Sequence, residues 1–302
     1  MAYPLLPLGA LRHALPALWL ALCTGMAGAQ TAATAVTAAT AATASLPQLQ
    51  TQAQQGSSAA RYELANRYSQ GAGVALDRAR SLQLYEQAAA SGHGPALHAL
   101  SRHYRGQTGA PADLARALDL LRQSAAKGHT PAQLELAFAH LNGSLGAARD
   151  PAPAFRWFNQ AAAAGAITAQ CMVADFYRDG TGGAPKDPKQ AHAWYLKTAR
   201  SDAACASKSQ YELYRLYEAG LGVRQDLSQA LRWLEEAALA GNPQAQRTLG
   251  QNYARGHGVT QDATLAQVWL RRSREGVAPH DDHEHEIRSF SGPRMAASPF
   301  GR

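Results

Sequence analysis

Residues 209–241 read SQYELYRLYEAGLGVRQDLSQALRWLEEAALAG, and this stretch carries the pattern that decides the fold. It opens on a small residue, Ser209, and continues with apolar residues at helical spacing up to Tyr217. A Gly-Leu-Gly-Val turn follows, then Asp226, a second apolar helical pattern and a closing Gly241. Apolar residues at this spacing on both sides of a glycine-rich turn predict two amphipathic helices that pack against each other.

The same pattern occurs six times along the chain, with starts 36 to 40 residues apart. The small residues that open the six repeats are Ala60, Ala96, Ala132, Ala169, Ser209 and Ala245. The aspartates that follow the six turns are Asp77, Asp113, Asp150, Asp187, Asp226 and Asp262. A period in this range with two helices per repeat indicates a helical solenoid. We therefore predict an all-α fold, an α-solenoid of antiparallel helix pairs.

The turn residues have structural roles in this interpretation. Glycine in a turn such as Gly71-Ala72-Gly73 supplies the positive φ of a helix exit, and Asp77 then caps the second helix. A phosphate loop would need a preceding strand, and carboxylates one repeat apart are too distant for paired acid–base chemistry. Residues 47–56 fit a lone helix that caps the first repeat.

The recurring order of alanine, Leu-Gly or Leu-Ala, tyrosine, Gly-x-Gly-Val, aspartate and Ala-x-x-Trp-Tyr resembles the Sel-one-like repeat (SLR) family, which is related to the tetratricopeptide repeat. The resemblance covers residues 47–276. It implies a right-handed superhelix with a concave groove and a non-enzymatic adaptor that binds proteins. For exported bacterial members it implies envelope assembly or host contact.

The N-terminus of the chain predicts export. Arg12, an apolar run over residues 14–23 and Ala27-Gly28-Ala29 fit a signal peptide over residues 1–29, because the run is too short to span a membrane. A lipoprotein signal at Cys23 is the alternative, although bulky Leu22 disfavours it. Residues 30–46 read as an Ala/Thr-rich tether and residues 277–302 as a disordered tail. We expect a periplasmic or secreted protein with no membrane span in the mature chain.

Two cysteines, Cys171 and Cys205, lie in the predicted mature chain. An exported protein with two cysteines favours one disulfide, and the repeat register places both at the same end of neighbouring first helices. Two separate buried thiols are the alternative.

The predicted groove is lined by first-helix positions two, six and nine residues after each repeat start, opposite the core positions. The residues proposed to bind a partner are Tyr62, His98, Arg102, Arg105, Leu134, Phe138, Leu141, Arg178, Tyr211, Arg215 and Arg247. Arginine binds carboxylates in pairs of hydrogen bonds, and an apolar stretch can hold an anchor side chain. The alternative for the apolar trio is packing onto a neighbouring helix.

The 302 residues carry a net charge of +7 that is dispersed, so the sequence predicts an acidic protein or peptide partner and no nucleic acid. Binding of an anionic envelope polysaccharide or peptidoglycan is the second hypothesis. A β-lactamase-like hydrolase is the third, because Ser124-Ala125-Ala126-Lys127 spells S-x-x-K, although its companion motifs are missing. We predict no cofactor and no functional metal, and we interpret the His/Asp/Glu cluster of residues 280–286 as solvated.

Overall fold

The computed structural model describes residues 44–107 and 111–275, and within these ranges the secondary structure is entirely helical. The chain divides into two compact units, with the boundary between Lys127 and Gly128. The predicted signal peptide, the C-terminal tail and nearly all of the tether lie outside the described residues. Across the described ranges, no helix combines the length and apolar character needed to cross a membrane.

The N-terminal unit holds a single helix followed by the helix pairs of repeats one and two. In chain order the helices are α1 (Leu46–Gln54), α2 (Ser58–Gln70), α3 (Arg78–Ala90), α4 (Gly94–Arg102) and α5 (Leu114–Ala126). A π-helical turn, His103–Gln107, continues α4. Helix α1 packs on α2 through buried Leu49.

The C-terminal unit holds the helix pairs of repeats three to six. Its helices are α6 (Thr130–Asn142), α7 (Pro151–Ala163), α8 (Ile167–Asp179), α9 (Pro188–Thr198), α10 (Ala206–Ala219), α11 (Leu227–Leu239), α12 (Pro243–Arg255) and α13 (Ala263–Glu275). The two helices of each repeat contact each other, and each second helix contacts the next first helix in this unit. The predicted all-α architecture of helix pairs is confirmed.

Every repeat buries the same positions of its first helix. The six opening residues are fully buried, and the residues four and five positions later are buried too. Those later pairs are Leu64 and Ala65, Leu100 and Ser101, Leu136 and Ala137, Val173 and Ala174, Leu213 and Tyr214, and Leu249 and Gly250. Small opening residues are required because two helices approach each other closely there.

All six aspartates cap the second helix of their repeat, as predicted. Each carboxylate accepts hydrogen bonds from backbone amides two or three residues later, at 2.9–3.1 Å. The backbone amide of each aspartate also donates to a carbonyl near the end of the first helix, at 2.7–3.0 Å. The accepting residues are Tyr68, Tyr104, His140, Tyr177, Tyr217 and Tyr253. This second bond, which the sequence analysis missed, ties the two helices of a repeat across the turn.

The turns of repeats four and five also touch the preceding repeat. A Cβ atom added to Gly182 would lie 2.5 Å from the carbonyl oxygen of Pro151, at the start of α7. One added to Gly222 would lie 2.5 Å from the carbonyl carbon of Pro188, at the start of α9. The second glycine of these turns is therefore needed for close contact between neighbouring repeats as well as for its positive φ.

Candidate functional site

We use the term first-helix face for the predicted partner-binding positions of the C-terminal unit: Leu134, Phe138, Leu141, Arg178, Tyr211, Arg215 and Arg247. The apolar trio on α6 is half-buried and packs against the core formed by α6, α7 and α8. The Phe138 ring meets the Phe158 ring edge-on, with centroids 5.0 Å apart. Leu134, Phe138 and Leu141 therefore make internal contacts along one side while part of their surface stays exposed.

Arg178 lies in a cluster of internal charges between α8 and α10. Its guanidinium forms two hydrogen bonds of 2.8 Å to Asp179 and one contact of 2.8 Å to Glu212, whose side chain is only 9% exposed. It also lies 3.3 Å from Asp175, which pairs with Lys208 as well. These contacts occupy most of the donors that the sequence analysis assigned to a partner.

Tyr195 of α9 also belongs to this cluster. Its hydroxyl donates to Asp175 at 2.8 Å and accepts from Arg178 at 3.2 Å. Burial and the adjacent carboxylate of Asp175 raise the pKa of Tyr195, so the phenol stays protonated. The hydrogen bond from Arg178 holds the pKa of Asp179 below its ordinary value. The cluster joins repeats four and five through ion pairs and hydrogen bonds.

We expect Arg178→Ala to lower the free energy of unfolding by about 2 kcal/mol, because it leaves Glu212 with fewer compensating charges in a mostly buried position. Arg247→Ala, at an exposed position, should stay within about 0.5 kcal/mol of the parent. Urea unfolding followed by tryptophan fluorescence measures both. Equal midpoints for the two variants would show that the cluster contributes nothing to stability.

The exposed part of the first-helix face lies on α10 and α12. The Arg215 side chain is 56% exposed and touches Glu212 at 3.3 Å. Arg247 is exposed and forms no hydrogen bond or ion pair with the residues that the structure describes. Tyr211 is half-buried, and its hydroxyl lies 3.2 Å from that of Thr248, which places α10 and α12 side by side. Two exposed guanidinium groups thus lie on neighbouring helices with a tyrosine beside them.

The N-terminal unit contains the other four predicted residues. Tyr62 is half-buried, and its ring contacts those of Tyr85 and His93 at centroid distances of 5.8 and 5.1 Å. His98 and Arg105 are half-buried, and Arg102 is exposed.

The cysteines and the serine of the S-x-x-K sequence have structural roles. Cys171 and Cys205 form a disulfide, with Cα atoms 6.5 Å apart. The Ser124 hydroxyl is buried and donates to the carbonyl of Gly94 at 2.7 Å. Within the part of the chain that is described, no group of three or more His, Cys, Asp or Glu side chains could hold a metal ion. The His/Asp/Glu cluster of residues 280–286 lies outside it.

Two junctions within the C-terminal unit are filled by side chains from the same four positions, which the sequence pattern did not reveal. These are positions six and nine of a first helix, the residue eight after the cap aspartate, and position three of the next first helix. At junction three–four these are Phe138, Leu141, Phe158 and Met172, and at junction four–five they are Asp175, Arg178, Tyr195 and Glu212. At junction one–two they are Asn66, Ser69, Tyr85 and Ala99, of which Ser69 and Ala99 are small.

Comparisons with known proteins agree with this architecture. The Sel1 repeat family matches residues 58–93, 94–129, 130–165, 167–202, 207–242 and 243–276, in register with the six helix pairs. A protective antigen of uropathogenic Escherichia coli with an SLR fold is 29% identical, with a TM-score of 0.63, over 83% of this chain and 54% of the antigen. This chain thus spans just over half the antigen's length.

A Sel1 repeat protein from Oxalobacter formigenes is 27% identical, with a TM-score of 0.54, over 72% of this chain and 86% of that protein. Among curated proteins, none matches. The six matches in register with six helix pairs show that this chain belongs to the Sel1 repeat family.

Proposed function

We propose that the chain is an exported, non-enzymatic adaptor that binds an acidic segment of another protein on the first-helix face. Sel1 repeats typically bind proteins, which supports the general class. The observation that carries the proposal is the exposure of Arg215 and Arg247 on adjacent helices, while Arg178 offsets the buried carboxylate of Glu212. Exposed arginines in pairs suit carboxylate ligands because each guanidinium offers several donors in a fixed plane.

The half-buried trio on α6 supports an apolar contact at one end of the same face. Leu134, Phe138 and Leu141 keep part of their surface accessible, so an aliphatic or aromatic side chain of the bound segment can pack there. A polymer-binding module would instead use tyrosines as stacking surfaces. Tyr62 and Tyr211 are each half-buried against another ring of the chain, which favours the protein ligand.

Peptide display on the purified full chain tests the proposal. We expect panning of a library of 12-residue peptides to enrich sequences rich in Asp and Glu. The double variant Arg215→Glu, Arg247→Glu should bind the enriched peptides at least tenfold more weakly, a loss of about 1.4 kcal/mol or more. The matched control is Arg232→Glu, Arg271→Glu, which places the same charge change at exposed positions of the second helices α11 and α13.

Two outcomes contradict the adaptor proposal. One is peptide binding that survives unchanged in the first-helix variant or falls equally in its control. The other is sedimentation of the chain with cell-wall sacculi in the absence of any peptide binding, which supports the polymer-binding alternative. Nitrocefin hydrolysis by the purified chain would overturn the non-enzymatic part, and recovery of the chain only in the cytoplasmic fraction would overturn export.

A further inference from the structure

A cleft of about 330 Å³ opens in the N-terminal unit, where α2 and α3 meet the first helix of repeat two. Its walls include Ser69 of α2, Arg78 and Tyr85 of α3, Ala99 of α4 and His103 of the π-helical turn. Leu82 adds an apolar surface. The cleft lies at junction one–two, the position that is filled by side chains at junctions three–four and four–five.

Comparison with junction four–five shows what is missing. Position nine is Ser69 here but Arg178 there, and position three of the following helix is Ala99 here but Glu212 there. At junction four–five the Arg178 guanidinium and the Glu212 carboxylate lie 2.8 Å apart and occupy the space. Junction one–two has neither long side chain. A space therefore remains at the position that the Glu212 carboxylate occupies at junction four–five.

The polar surroundings of that space are retained. The Tyr85 hydroxyl donates to Asn66 at 2.6 Å, as Tyr195 does to Asp175, but the acceptor is now an uncharged amide. Arg78 is exposed at the rim. Burial raises the pKa of Tyr85, so its phenol stays protonated beside the cleft. Arg78 thus places a positive charge at the rim, and none of the residues that line the cleft is acidic.

We propose that this cleft binds a carboxylate group of a peptide ligand, which occupies the place that the Glu212 side chain takes at junction four–five. Arg78 supplies positive charge at the rim, and Leu82 and Ala99 contact the apolar part of the ligand. The site goes beyond the first-helix face, because it lies in the other unit and uses neither Arg215 nor Arg247.

Calorimetric titration of the full chain with two tripeptides tests the site. The probe is acetyl-Leu-Glu-Leu-amide, and its matched control is acetyl-Leu-Gln-Leu-amide, which has the same shape without the charge. We expect saturable binding of the Glu peptide and at least tenfold weaker binding of the Gln peptide, since charge-assisted hydrogen bonds are the stronger ones. Equal affinities for the two peptides would overturn the proposal.

Variants separate this cleft from other surfaces. Ala99→Glu places in the cleft the residue that repeat five carries at this position. It should lower the affinity for the Glu peptide at least tenfold. Ala126→Glu adds the same charge at an exposed position of α5 and should leave binding unchanged. If Ala99→Glu lowers the helix content, Ser69→Leu is the variant to use. It places in the cleft the residue that repeat three carries as Leu141, and it should lower the affinity for the Glu peptide in the same way.

The two proposals fail separately. The double variant Arg215→Glu, Arg247→Glu should bind the Glu tripeptide with the affinity of the parent. The Ala99→Glu variant should bind the peptides enriched by display with the affinity of the parent. Parent-like tripeptide binding by both Ala99→Glu and Ser69→Leu would overturn the cleft proposal and leave the first-helix proposal standing.

Discussion

Reduction of the disulfide between Cys171 and Cys205 should lower the free energy of unfolding of the C-terminal unit by about 4 kcal/mol. The two cysteines are 34 residues apart, and closing a loop of that length removes about this much chain entropy from the unfolded state. The bond also ties α8 to the connection that leads into α10, next to the buried hydroxyls of Ser209 and Thr198.

Tryptophan fluorescence measures the unfolding of the C-terminal unit, which contains the disulfide. The tryptophans among the described residues are Trp157, Trp194, Trp233 and Trp269, and all belong to the C-terminal unit. We expect urea to unfold this unit at a clearly lower concentration in the presence of dithiothreitol. The double variant Cys171→Ser, Cys205→Ser is the control and should respond to the reductant no further. An unchanged midpoint of the parent under reducing conditions would contradict the prediction.

Gly182→Ala should destabilise the C-terminal unit by about 2–4 kcal/mol, while Gly183→Ala should cost only about 1 kcal/mol. Both residues have positive φ, +62° and +79°, so each substitution carries the strain of a left-handed conformation. Only Gly182 meets a neighbour: an added Cβ would lie 2.5 Å from the Pro151 carbonyl oxygen and 2.8 Å from the Phe176 ring. Gly183 has nothing within 4 Å. Overpacking against rigid backbone adds about 1–3 kcal/mol.

This pair of variants isolates the contact between repeats, because the two sites are adjacent and differ in little else. Urea unfolding followed by tryptophan fluorescence gives both free energies. Equal losses for Gly182→Ala and Gly183→Ala would show that the turn of repeat four does not press against the start of α7 in solution.

The helix pairs, caps and buried positions could be predicted from the sequence because each depends on one repeat considered by itself. An aspartate after a glycine turn caps the next helix wherever it occurs, and a small residue at the repeat start marks close packing. The boundary between the two compact units could not be predicted in this way. Helix spacing continues across Lys127 and Gly128 without a change in composition.

The environment of Arg178 was the hardest feature to predict, because its main partner belongs to another repeat. A rule based on position alone assigns Arg178, Leu141 and Ser69 to the same face, yet their surroundings are ionic, apolar and open, respectively. The residue that decides among these is position three of the next repeat. Comparing that position with position nine, as in Arg178 with Glu212, would have revealed the internal cluster.

The bond between the aspartate amide and the first-helix carbonyl has a consequence for how such a chain can evolve. It closes over nine residues in four repeats and over ten in repeats three and four, where Asp150 and Asp187 bond to His140 and Tyr177. The corner therefore accepts one additional residue without losing this bond. Homologues should accumulate length variation at these corners while the helices themselves keep a constant length.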